Sequence, residues 1–114
     1  MDTNAQLLRI FIGESDKIGH VPVHEKIVVA AKEAKLLGAT VYRGIMGFGA
    51  NSIIHTTKVL RLSEDLPLVI EIVDSEEKIE NFLSTLNNLL QQSNSGGLIT
   101  VEKATVIKHF ASKK

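Results

Sequence analysis

"LPLVIEIVDSEEKIENFLSTLNNLL" (Leu66–Leu90) changes its apolar period from two to 3.6 within a few residues. Leu66–Val73 is the strongest strand in the chain: it is short and branched, with Leu68, Ile70 and Ile72 on one alternating set and Val69 and Val73 on the other. Asp74 followed three residues later by Glu77 has the spacing of a capping box, in which each side chain satisfies a backbone N–H at a helix start. Ile79, Phe82, Leu83, Leu86, Leu89 and Leu90 then form one helical stripe, and the helix is expected to end near Gln92. A strand that is apolar on both faces needs cover on both, and this helix covers one.

The rest of the chain extends that pattern. Leu7–Gly13 is a strand of the same two-sided kind, with Leu7 and Phe11 opposite Leu8, Ile10 and Ile12. Pro22 suits the first position of a helix, Val23, Ile27, Ala30, Ala31, Ala34 and Leu37 recur at helical spacing, and Gly38 is the expected stop. "ATVYRGI" (39–45) is a strand, and the branched run 52–62 favours extended structure. After "SNSGG" (93–97), "LITVEKATVIKHF" (98–110) supplies a last strand or two before a basic, frayed tail at 111–114. The order strand, helix, strand, strand, helix, strand predicts a single α+β domain over 1–114. It is a ferredoxin-like βαββαβ sandwich, an antiparallel four-stranded sheet with two helices on one face. The second apolar face then needs another subunit, and an oligomer is expected.

With 114 residues the chain supports one modest core. Lys plus Arg and Asp plus Glu balance at 13 each, so no net field draws the protein to nucleic acid or anionic lipid. Cysteine is absent, which removes disulfides, thiolate metal sites and cysteine nucleophiles. The apolar run near the N-terminus is too short for a signal peptide or a membrane span. A cytoplasmic protein without membrane insertion is expected.

Half of the eight glycines fall between Gly38 and Gly49. Gly44 interrupts a strand and reads as a bulge or bend. Gly47 and Gly49 flank Phe48 where a loop begins, and backbone N–H groups freed there can converge on an anion. Gly96 and Gly97 follow a helix, the ordinary place for a C-cap and turn. In a ferredoxin-like fold these two glycine loops need not be neighbours within one subunit, while oligomerisation can bring them together around a nucleotide. His20 and His24 have the i, i+4 spacing of a helical metal pair, but Pro22 between them places His20 outside the helix, and both read as solvated. His55 reads as partner-facing or simply exposed; Glu14 and Asp16 could bind a ribose or a cation, with ordinary turn residues as the default reading. No carboxylate or histidine constellation suited to catalysis is visible, and neither catalytic nor metal residues are assigned.

"GATVYRGIMGFGANS", "LPLVIEIVD" and "SGGLITVEKATVIKH" resemble, in order and spacing, the PII signal-transduction proteins, over roughly Leu7–Phe110. "LRIFIGESDK" and "IHTTKVLRLSEDLP" are more similar still to an uncharacterised PII-like branch catalogued as a domain of unknown function. The resemblance implies a ferredoxin-like homotrimer, an adenine nucleotide in each inter-subunit cleft, and a T-loop, here about 50–62, that docks on a protein partner such as a transporter or an enzyme. It matches Thr40 to a threonine near the adenine and Gly47, Phe48 and Gly49 to the T-loop root, with Ala50 and Ser52 around Asn51, which stands where a glutamine helps hold phosphates and metal. Gly97, beside Gly96, matches a glycine of the second nucleotide loop, and Lys108, beside His109, matches an arginine of the last strand.

The chain departs from that pattern at Leu98, where a phosphate-binding lysine is expected, and at Val106, where another arginine is expected; the stretch Gly38–Gly47 is also one residue longer. Each lost charge-assisted hydrogen bond removes roughly 1.5–3 kcal/mol, so two lost cations weaken a triphosphate by about two orders of magnitude or more. Arg43, Lys58, Arg61, Lys103 and His109 are the available substitutes. AMP or ADP is therefore favoured over ATP, with Mg as an optional companion. The expected function is regulatory and non-enzymatic; the alternatives are a nucleotide or phosphoester hydrolase at the same cleft and a metal-tolerance protein of the CutA type.

Overall fold

The computed structural model describes residues 4–49, 55–56 and 65–113. In chain order the elements are β1 (Ala5–Gly13), β2 (Lys17–Ile18), β3 (Val21–Pro22), α1 (Val23–Glu33), β4 (Thr40–Arg43), β5 (Met46–Gly47), β6 (His55–Thr56), β7 (Pro67–Ser75), α2 (Glu76–Ser93) and β8 (Leu98–Ala104). The four long strands form one sheet in the order β4-β7-β1-β8, every neighbour antiparallel. This is the expected ferredoxin-like arrangement. Two short antiparallel pairs, β2 with β3 and β5 with β6, decorate it. No described helix is long and apolar enough to cross a membrane.

The period-two strands bury one alternating set each. Leu8, Ile10 and Ile12 from β1 and Leu68, Ile70 and Ile72 from β7 meet Val23, Ile27 and Ala31 of α1 and Ile79, Phe82 and Leu86 of α2. Burying a side chain of this size contributes about 1.5–3 kcal/mol, so this layer dominates the stability of the single chain.

Both helix boundaries differ from the expectation for identifiable reasons. α1 stops at Glu33, well short of Gly38, because Lys35 adopts φ 61 and the chain reverses there. The Lys35 N–H donates to Lys32 O (3.0 Å) and the Leu36 N–H to Ala31 O (3.1 Å), the bonding pattern of a Schellman motif with lysine in the usual glycine position. Leu36 therefore packs against the core, whereas Ala34 and Leu37 are exposed. Pro22 is the residue before the first helical turn and not its first member. For α2 the cap is Ser75, whose Oγ accepts from the Lys78 N–H (3.3 Å). Asp74, 5% exposed, is the penultimate residue of β7. Its carboxylate accepts from the N–H groups of Leu37 (2.9 Å) and Ser75 (2.7 Å), so it ties the α1–β4 connection to the sheet. α2 ends at Ser93, one residue from the expected Gln92, and is capped by Asn94 at φ 55.

The other sheet face carries the second apolar set. Register places Tyr42, Val69, Phe11 and Leu98 in one row across all four strands, and Val73 beside Leu7 in another. Tyr42 and Leu98 are 46% and 57% exposed. Between these rows lies a polar one, Thr40, Glu71, Arg9 and Thr100. No described element lies over this face, so the sheet is covered by helices on one side only.

Candidate functional site

β4 ends at Arg43, and the glycines that follow are shaped by Pro67 at the start of β7. The Gly44 N–H donates to Pro67 O (2.7 Å), and a Cβ on Gly44 would lie 2.9 Å from Pro67 Cγ. A Cβ on Gly47 would lie 3.2 Å from the same atom. Gly44 is thus a close-approach glycine at a strand end, not a bulge. Gly47 pairs with His55, closing β5 on β6, while Phe48 is 69% exposed and, among the described residues, nothing occupies the space where a Cβ on Gly49 would go. Thr40 lies exposed in β4, opposite Glu71. Ala50, Asn51 and Ser52, with Lys58, Arg61 and most of 50–62, lie outside the described residues.

The second glycine loop closes the other edge. A groove of ≈ 620 Å³ between the end of α2 and the start of β8 is lined by Asn87, Leu90, Gln91 and residues 94–99, which include Gly96 and Gly97. Its lining offers three amides and a hydroxyl and no charge, which suits neutral hydrogen bonding to a base or a sugar better than neutralisation of phosphate. Gly97 is required by packing: a Cβ there would sit 2.8 Å from the Phe11 carbonyl oxygen in β1.

The two glycine loops share one end of the sheet but stand at opposite edges, since β4 and β8 are three strand spacings apart, roughly 14 Å. Lys108 and His109 are not with them. β8 runs from Leu98 beside Phe11 to Ala104 beside Ala5, so the chain leaves the sheet at the far end. Residues 107–113 are exposed, with Ile107 89% and Phe110 72% accessible and Lys108 Nζ 4.6 Å from the Phe110 ring centre. One chain therefore holds the sequence-derived candidates in three separate places.

Sequence reading missed two charged clusters. In the first, Glu14 pairs with Arg43, while the Glu14 N–H donates to Leu66 O (2.8 Å) and the Ser15 N–H to Asp65 Oδ1 (2.9 Å). Asp16 Oδ2 accepts from the Gly13 N–H (3.0 Å), so Asp16 is the turn residue expected of it. The second cluster centres on Arg9, whose guanidinium reaches Glu71 (2.7 Å) and Glu102 (2.6 Å) on the open sheet face. It had a legible signal: Arg9 and Glu71 each sit mid-strand within an otherwise apolar alternating set. Among the remaining histidines, His20 is exposed outside α1, and His24 Nδ1 is buried without a partner among the described residues. No group of three His, Asp or Glu side chains among the described residues is arranged to hold a metal ion.

The Arg9 cluster makes a pH prediction. Arg9 hydrogen bonds, and then the bond from Tyr42, hold the Glu71 carboxyl below its usual range, and the bond to Glu71 raises the Tyr42 phenol. A depressed carboxyl favours the fold above the ordinary glutamate range, and its contribution fades as pH falls through the lowered value; a raised phenol favours the fold until pH rises through the raised value. Tyr42 is the single tyrosine and tryptophan is absent, so phenolate absorbance reads it alone. Its midpoint is expected above that of an ordinary phenol, because of the bond to Glu71. Glu71→Ala should bring it back to the ordinary range, and an unchanged midpoint would refute the contact.

The profile of the DUF190 family ("Uncharacterized ACR, COG1993") matches residues 5–106. A UPF0166 protein of Aquifex aeolicus (strain VF5) is 40% identical over 102 residues, 90% of this chain and 92% of that one. A second, from Methanocaldococcus jannaschii, is 35% identical over 104 residues, 91% and 93% of the two chains. Among solved structures, the chain is similar to CPII, a nitrogen regulatory PII-like protein of Thiomonas intermedia K12 bound to ADP, AMP and bicarbonate, with a TM-score of 0.69 and 16% identity over 91% of this chain and 89% of that one. The resemblance read from the glycine stretches thus extends to the fold. The chain belongs to the DUF190 family.

Proposed function

We propose that the protein is a PII-like regulatory module that binds an adenine nucleotide, AMP or ADP in preference to ATP, between subunits of a homotrimer and reports it to a protein partner through residues 50–62. The observation that carries this reading is the separation of the two glycine loops. They face the same end of the sheet from opposite edges, so neither encloses a ligand within one chain. A ring of copies with their open sheet faces turned to the axis sets the β4 edge of each against the β8 edge of the next. That contact joins the glycine root of one copy to the amide-lined groove of its neighbour. CPII, which shares the fold, binds ADP and AMP.

The charge inventory supports a ligand with few phosphates. The groove has no cation, Leu98 replaces the expected lysine, and Arg43 is the sole cation between Thr40 and Gly49. Calorimetric titration with AMP, ADP and ATP tests the reading, with product analysis on the same samples. Binding without turnover is expected, tighter for AMP or ADP. Gly49→Val, at a position with room for the side chain among the described residues, should weaken binding about tenfold or more while leaving the melting temperature unchanged. Turnover would favour the hydrolase alternative, and equal losses of binding and stability would make the glycine a structural turn.

A further inference from the structure

We infer that Arg43 is the residue that receives the anionic end of the ligand at the glycine root, and that Glu14 is the internal competitor for its guanidinium. The inference deepens the nucleotide reading above and rests on it. Arg43 is the last residue of β4, immediately before Gly44, and its side chain is 60% exposed. Lys108 and His109 leave the sheet at its other end, and the groove at the β8 edge is uncharged. Among the described residues, the root's own positive charge is therefore Arg43.

Its partner is held in place for the role. Glu14 is fixed by its N–H on Leu66 O (2.8 Å), and the turn that carries it is closed by Gly13 and Asp16. Its side chain is only 26% exposed, so the carboxylate is a positioned counter-charge. A phosphate monoester carries more charge than a carboxylate and accepts a bidentate guanidinium, so it outcompetes Glu14 when it reaches the glycines. Glu14 then subtracts from apparent affinity by the strength of its own pair. The turn it leaves also holds Asp65 through the Ser15 N–H, so anion capture and the grip on the chain's return to β7 share one tetrapeptide.

The test is calorimetric titration of the full-length protein with AMP, ADP and inorganic phosphate, comparing wild type with Glu14→Gln, Arg43→Gln, Arg43→Lys and the Glu14→Gln/Arg43→Gln double variant. Glu14→Gln should tighten adenylate binding about two- to fivefold, the scale of a partly exposed ion pair. Arg43→Gln should weaken it about tenfold or more, Arg43→Lys should recover part of the loss, and Glu14→Gln should have no effect once Arg43 is gone. Melting temperatures should be indistinguishable. Wild-type affinity in Arg43→Gln, or weaker binding in Glu14→Gln, overturns the assignment of these two residues and leaves the nucleotide reading standing. Failure of wild type to bind either adenylate overturns both.

Discussion

Gly97→Ala is expected to lower the free energy of unfolding by about 2–3 kcal/mol, whereas Gly49→Ala should change it by about 0.5 kcal/mol or less. The two glycines look alike in the sequence, each beside a loop implicated in the same site. Their surroundings differ. The Cβ added at Gly97 meets the Phe11 carbonyl oxygen at 2.8 Å, and that oxygen belongs to the central strand, held between β7 and β8. Neither backbone can retreat without breaking a ladder, so β8 must shift at its first residue. At Gly49 nothing among the described residues lies within 4 Å of the new atom. Gly44→Ala should fall between them, since the atom it crowds, Pro67 Cγ at 2.9 Å, is a ring carbon with some freedom to pucker. Urea unfolding with an unchanged slope is the measurement. Similar losses at 97 and 49 would mean that close approach to Phe11 is not what the glycine serves.

The elements legible in the sequence are those whose pattern repeats within the element. β1, β7 and α2 alternate or recur over many residues, and their periods specify both the structure and the buried face. The end of α1 was not legible because Ala34 and Leu37 continue the apolar spacing while Lys35, a residue with no bias for positive φ, makes the reversal. The cap of α2 was displaced by one residue because two capping side chains stand in succession, and the core claims Asp74 for a long-range bond to Leu37. At the candidate site, the glycine stretches were visible from composition and resemblance, but their geometry was not. The pairs that shape the site, Glu14 with Arg43 and Ser15 with Asp65, join residues far apart in sequence, and single charged residues in turns carry no local signature of their partners. Register across the sheet supplied what the sequence withheld: which end each loop occupies, and that the tail leaves by the other.

Phe11→Asp is expected to convert the proposed homotrimer to a folded monomer and to abolish the proposed nucleotide binding with it. Phe11 stands at the centre of the row from Tyr42 through Val69 to Leu98, on the face that no described element covers. Full burial of residues of this size contributes about 1.5–3 kcal/mol each, and a cyclic assembly repeats the gain at every copy. A carboxylate in that row reverses the sign, because a charge buried without a partner costs several kcal/mol. The neighbouring Arg9 gives it no relief, since its guanidinium already serves Glu71 and Glu102, and a third acid would add to a local excess of negative charge. The helix-side core is untouched, with Ile10 and Ile12 still facing α1 and α2, so circular dichroism should remain that of the wild type. Light scattering after size exclusion should show one chain's mass at concentrations where the proposed trimer of the wild type shows three. If Phe11→Asp keeps the wild-type mass, the open face is not the assembly surface; if it is monomeric yet binds AMP with wild-type affinity, the ligand does not need the second edge, and the ring that joins the two glycine loops has no role in recognition.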